Sequence, residues 1–91
     1  MDEYAQLRAL LDLAESVGIT VRRRPPDDQP HAAGALVRLA GRELLFLDPS
    51  AAVADRIAVV AAALAGRGEI EDVFLPPEIR RHIDDATGES D

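Results

Sequence analysis

Apolar residues change their spacing twice along this chain, and those two changes constrain the fold more than any other feature. Between Asp2 and Val17, the residues Leu7, Leu10, Leu11, Ala14 and Val17 recur every three or four positions, the spacing of one helical face. After Gly18 the spacing drops to two. Ile19 and Val21 alternate with Thr20 and Arg22, and Val37 and Leu39 flank Arg38, as strands require. After Asp48 the helical spacing returns, with Val53, Ile57, Val60 and Leu64 on one stripe. Helix, strands and helix must therefore share a core within 91 residues. A chain of this size buries roughly 60–70% of its unfolded surface and needs no staples.

Turn and cap residues set the boundaries. Asp2 or Glu3 suits the positive end of the first helix, and Gly18 stands where a left-handed cap is wanted. Pro25-Pro26-Asp27-Asp28-Gln29-Pro30 cannot extend a ladder and reads as a loop. Gly34 to Ala40 reads as a strand, and Gly41-Arg42 as a two-residue turn with glycine first. Glu43 to Asp48 is apolar on both faces, as a central or doubly covered strand would be. Asp48-Pro49-Ser50 supplies N-cap chemistry for a helix from Ala51 to Ala65, which Gly66-Arg67-Gly68 ends. Glu69 to Leu75 reads either as an extended segment or as a connector turn. Pro77 then opens a final helix, Glu78 to about Ala86, buried through Ile79 and Ile83. The expected fold class is α+β in the order α-β-β-β-α-α. It has a small, mostly antiparallel three-stranded sheet, two main helices and a short C-terminal helix. Residues 1–86 form the expected single domain and 87–91 a frayed acidic tail.

Most chemistries lack their residues. Cysteine is absent, so disulfides and thiolate metal sites are impossible. His31 lies in the proline-rich loop and His82 between Arg81 and Ile83, without the i, i+4 pairing of a zinc helix. Both read as exposed histidines, so no metal and no cofactor is expected. Ser16, Ser50 and Ser90 have no nucleophile-elbow context, and the adjacent pairs Asp27-Asp28 and Asp84-Asp85 read as solvated charge. The net charge of −7 argues against nucleic acid, and aromatic residues at 3% are too few for a base-stacking platform. The longest apolar run, Ile57 to Ala65, is far short of the ~20 residues that span a bilayer. With an acidic rather than basic Met1-Asp2-Glu3, the expectation is a cytoplasmic protein away from membranes.

Two features point to a partner. Arg22-Arg23-Arg24 offers guanidinium forks to an acidic protein or a phosphate, against the alternative of a solvated strand end. All basic residues are arginine, which together with abundant alanine suggests a GC-rich bacterial genome and lowers the weight of each arginine. Ala54, Ala58, Ala61 and Ala65 form a smooth row beside the apolar stripe of their helix, a surface that a second chain can approach closely. The expected function is a non-enzymatic protein-interaction or regulatory module that binds a second copy of itself or another protein. The alternative is a ligand-binding or catalytic subunit whose site is completed by another chain, with Arg22, Arg23, Arg24, Arg38 and Arg42 holding an anionic ligand.

The order of elements carries a resemblance. A helix, then Gly18-Ile19-Thr20-Val21, a hairpin ending Leu44-Leu45-Phe46-Leu47-Asp48, and a helix containing Val59-Val60-Ala61-Ala62-Ala63-Leu64 resembles the front half of ImmA/IrrE-type zinc metallopeptidases. Val73-Phe74-Leu75-Pro76 is similar to a Leu-Leu-Met-Pro stretch downstream in them. That family carries His-Glu-x-x-His on the helix. Here Ala62-Ala63-Leu64-Ala65-Gly66 stands in its place, so the resemblance implies a relative without zinc or peptidase activity. A separate small bacterial family is the other reading of the same pattern.

Overall fold

Asp2 opens the first helix. In the computed structural model, which describes residues 1–23 and 33–88, its carboxylate accepts a hydrogen bond from the Ala5 N–H at 2.7 Å. Helix α1 (Glu3–Ser16) buries Leu7, Leu10 and Ala14, the face expected from their spacing. Strand β1 (Ile19–Arg23) follows, with Ile19 buried. Strands β2 (Gly34–Leu39) and β3 (Arg42–Leu47) form a hairpin. Arg24, the Pro25–Pro30 loop with Asp27 and Asp28, His31, and the tail residues Glu89, Ser90 and Asp91 lie outside the described residues.

The sheet order is β1-β3-β2. β3 is central, as its two apolar faces require. The α+β class, the three strands and the element order are as expected, but the sheet is mixed, with one antiparallel and one parallel pairing. β2 pairs antiparallel to β3, from Gly34↔Leu47 to Leu39↔Arg42, but β1 pairs parallel to β3, from Ile19↔Glu43 to Arg23↔Leu47. Consecutive strands β1 and β2 thus become opposite edges, and the chain inserts β3 between them.

The hairpin turn sits one residue earlier than glycine placement suggested. Ala40 and Gly41 are its central residues, both with positive φ (52° and 79°), and Arg42 is already in the ladder. Two positive φ values match the twist of the flanking strands, and glycine in the second position makes one of them free of steric cost.

Helix α2 (Val53–Leu64) is also shorter than expected at its start. The Asp48 carboxylate does not cap it. Instead it accepts from the Ser50 N–H at 2.9 Å and the Ser50 hydroxyl at 2.7 Å, closing a turn of its own before the helix begins. Ile57, Val60 and Leu64 are buried as the stripe predicts, and Ala61 and Ala63 join them. The ambiguous stretch begins with a one-turn helix α3 (Gly68–Glu71), which buries Ile70. Helix α4 (Pro77–Gly88) buries Ile79 and Ile83 and runs two residues beyond its expected end, so the fold has an added short helix and a longer last one.

Helices α1 and α2 cover one face of the sheet, α1 against β1 and α2 against β2 and β3. α4 packs on α1 and α2. Leu10, Ile19, Leu45, Val60, Leu64 and Ile79 are almost completely enclosed in the resulting core. Among the described residues no helix is long and apolar enough to cross a membrane.

Candidate functional site

Parallel pairing of β1 and β3 separates the arginines that the sequence suggested might act together. Arg22 and Arg23 align with Phe46 and Leu47 at the end where both strands finish. Arg38 aligns with Glu43, and Arg42 with Leu39, at the opposite end. The set Arg22, Arg23, Arg38 and Arg42 is therefore two groups, with Arg24 outside the described residues.

At the Glu43 end the charge is closed. Arg67 Nη1 donates to Glu43 Oε1 at 2.9 Å and Nη2 to Oε2 at 2.6 Å, a bidentate pair. Arg67 Nε donates to the Ala63 carbonyl at 2.7 Å, which fixes the fork against the end of α2. Arg38 adds a contact to Glu43 Oε2 at 3.3 Å. The hydrogen bonds from Arg67 and then Arg38 hold the Glu43 carboxyl down at about 2, against the opposing effect of desolvation. The same pairing raises the Arg67 guanidinium further. This cluster bolts the start of β3 to the end of α2. Sequence reading missed it because the partners are 24 residues apart and Arg67 looked like part of a helix terminator. No local spacing signals it.

At the other end Arg22 and Arg23 are exposed and make no ion pair among the described residues. Arg56, which the sequence did not single out, stands beside them, half-buried.

The alanine row is divided. Ala61 is buried in the core, Ala65 is half-buried just beyond the last helical residue, and Ala54 and Ala58 are exposed. α1 and α4 both pack on α2, so two neighbours within the chain supply cover for it. Ala54, Ala58 and Ala62 floor a groove of about 230 Å³ with Glu3, His82 and Asp85 among its walls.

The other side of the sheet is a different surface. Strand register places Thr20, Arg22, Ala35, Val37, Leu39, Arg42, Leu44 and Phe46 on the face away from the helices. Among the described residues no helix or strand packs on this face. Leu39 is 61% exposed and Val37 39%, while Leu44 and Phe46 are half-exposed between their neighbours. Two positions are arginine and none is acidic. Strand β2 also has a free edge. The Asp48 N–H donates to the Ala33 carbonyl at 2.7 Å, and Ala33 lies opposite Asp48 if the register is continued by one residue. Antiparallel alternation from that pair points the backbone groups of Gly34, Leu36 and Arg38 away from the sheet.

Among the described residues no three His, Asp or Glu side chains converge as metal ligands. His82, read from the sequence as exposed, is half-buried, and its Nε2 lies 2.6 Å from Gln6 Oε1, which requires the Nε2–H form and ties α4 to α1. Comparison with known proteins finds no matching family, no similar curated protein and no similar solved structure.

Proposed function

We propose that this chain is a non-enzymatic protein-interaction module that docks a partner on the helix-free face of its sheet. The exposure of Val37 and Leu39 beside Leu44 and Phe46 carries this reading. Small domains seldom leave contiguous apolar side chains in water unless another surface covers them. Burying a leucine-sized side chain contributes about 1.5–3 kcal/mol, so Leu39 is the natural anchor of such an interface.

Charge selects the partner. Arg22 and Arg42 flank the apolar strip without an acidic neighbour on that face among the described residues, in a chain of net charge −7. A second copy laid face to face would set arginine toward arginine, whereas a protein with carboxylates around an apolar patch complements both features. The free edge of β2 offers an added register of main-chain hydrogen bonds.

Capture from native lysate tests the reading, with wild type, Leu39→Glu and Ala58→Glu as parallel baits. A partner held by wild type and Ala58→Glu, lost with Leu39→Glu and weakened by salt, supports the sheet face. Loss with Ala58→Glu alone moves the interface to the α2 groove. Concentration-dependent dimerisation abolished by Leu39→Glu replaces the acidic partner with a second copy.

A further inference from the structure

The end of the sheet where β1 and β3 finish together holds a second feature. Val21, Arg22, Arg23, Leu47, Pro49 and Arg56 line an open pocket of about 190 Å³. Half of its described lining is arginine and none of the described lining is acidic, in a chain whose acidic residues outnumber its basic ones by 17 to 10. We propose that this pocket binds the phosphate group of a small phosphorylated molecule. The inference goes beyond the docking reading and rests on different residues, Arg22 alone belonging to both surfaces.

Three observations carry it. Guanidinium groups match the geometry of phosphate oxygens, and strand alternation sets Arg23 on the helix side with Val21, Leu47 and Arg56, while Arg22 lines the pocket from the other side of its strand. These guanidiniums are not already spent, since Arg22 and Arg23 make no ion pair among the described residues, in contrast to Arg67 on Glu43. Arg56 is anchored through Nε to the Ala51 carbonyl at 3.1 Å, which holds the side chain in place while its Nη groups make no hydrogen bond among the described residues. Val21, Leu47 and Pro49 add an apolar wall that strengthens the field of the arginines.

Size and place narrow the ligand. The pocket is smaller than the roughly 300–1,000 Å³ of sites that enclose a whole drug-sized molecule, so it seats a headgroup and leaves the remainder outside. It lies at the carboxyl ends of adjacent parallel strands, where open sheets commonly place their ligands.

Titration of the full chain with inorganic phosphate, at constant ionic strength maintained with chloride, tests the proposal by calorimetry or NMR. Phosphate should saturate a single site, and acetate should bind at least roughly tenfold more weakly if the site is built for a dianion. Arg23→Gln and Arg56→Gln should each weaken phosphate binding roughly tenfold or more, the loss expected for one charge-assisted contact. Arg42→Gln, at the opposite end of the sheet, should leave affinity unchanged. Circular dichroism checks each variant's fold, and exposed Arg23 carries the result if Arg56→Gln does not fold. Absence of saturation at millimolar phosphate, equal affinity for acetate, or an equal loss with Arg42→Gln would overturn the site.

Discussion

The two ends of the sheet use the same residue type for different purposes. At one end Arg67 and Arg38 converge on Glu43, and their charge is consumed in joining β3 to α2. At the other end Arg22, Arg23 and Arg56 line a pocket with no carboxylate among the described residues of its lining. The difference lies in what tertiary structure sets opposite each guanidinium. An arginine facing a carboxylate is a fastener, and a group of arginines facing only apolar walls and water is poised for an anion brought from outside.

The largest effect belongs to neither end. Ile57→Ala removes a buried side chain between the helices and the sheet and should cost about 2–5 kcal/mol in a denaturant melt, more than any single arginine change. An arginine variant that matches it would show that one of the two ends is part of the core.

Next in size is the fastener. Arg67→Met should cost roughly 1–2 kcal/mol, at the modest end because Arg67 and Glu43 retain 18% and 19% side-chain exposure. The pair also makes a pH prediction. Glu43 is held at about 2 in the fold against an ordinary 4.5, so its contribution is complete above about pH 4.5 and is lost as pH falls toward 2. Wild type should weaken across that window, and Arg67→Met should weaken less because its Glu43 has lost its main partner. Identical acid profiles for the two proteins would remove Arg67 as the cause.

A smaller gain tests the same end from the turn. Ala40→Gly relieves a positive φ of 52° and should stabilise by roughly 0.5 kcal/mol after the entropic cost of glycine. A loss of stability would contradict the left-handed turn geometry. Smallest of all, Arg23→Gln should change stability by less than about 0.5 kcal/mol, since the side chain is exposed and unpaired among the described residues. A larger loss would make Arg23 a fastener as well.

How far the sequence revealed these features follows from the range of the interactions. The α1 stripe, the α2 stripe and the central place of β3 were legible, because periodicity and the two apolar faces of Leu44 to Leu47 are written within a few residues. The parallel pairing of β1 was not, since register between Ile19 and Glu43 is a tertiary choice. Asp48 looked like a helix cap because its residue type is right, but Ser50 competes for the same carboxylate. The site was legible in part. Arg22 and Arg23 were conspicuous as a run, whereas Arg56 was hidden inside a helical pattern and Arg67 beside two glycines. Ala61 shows the opposite error: its spacing suggested an outward row, yet it is 1% exposed in the core.

The contrast between the two ends can be observed at once in the arginine Nε–H signals of a ¹H–¹⁵N spectrum, since all ten basic residues are arginine. During titration with inorganic phosphate at fixed ionic strength, the signals of Arg23 and Arg56 should shift along one saturating curve, while those of Arg38 and Arg67 stay in place. Uniform shifts across all arginines, or movement of Arg67 before Arg23, would contradict the assignment of one end as closed and the other as open.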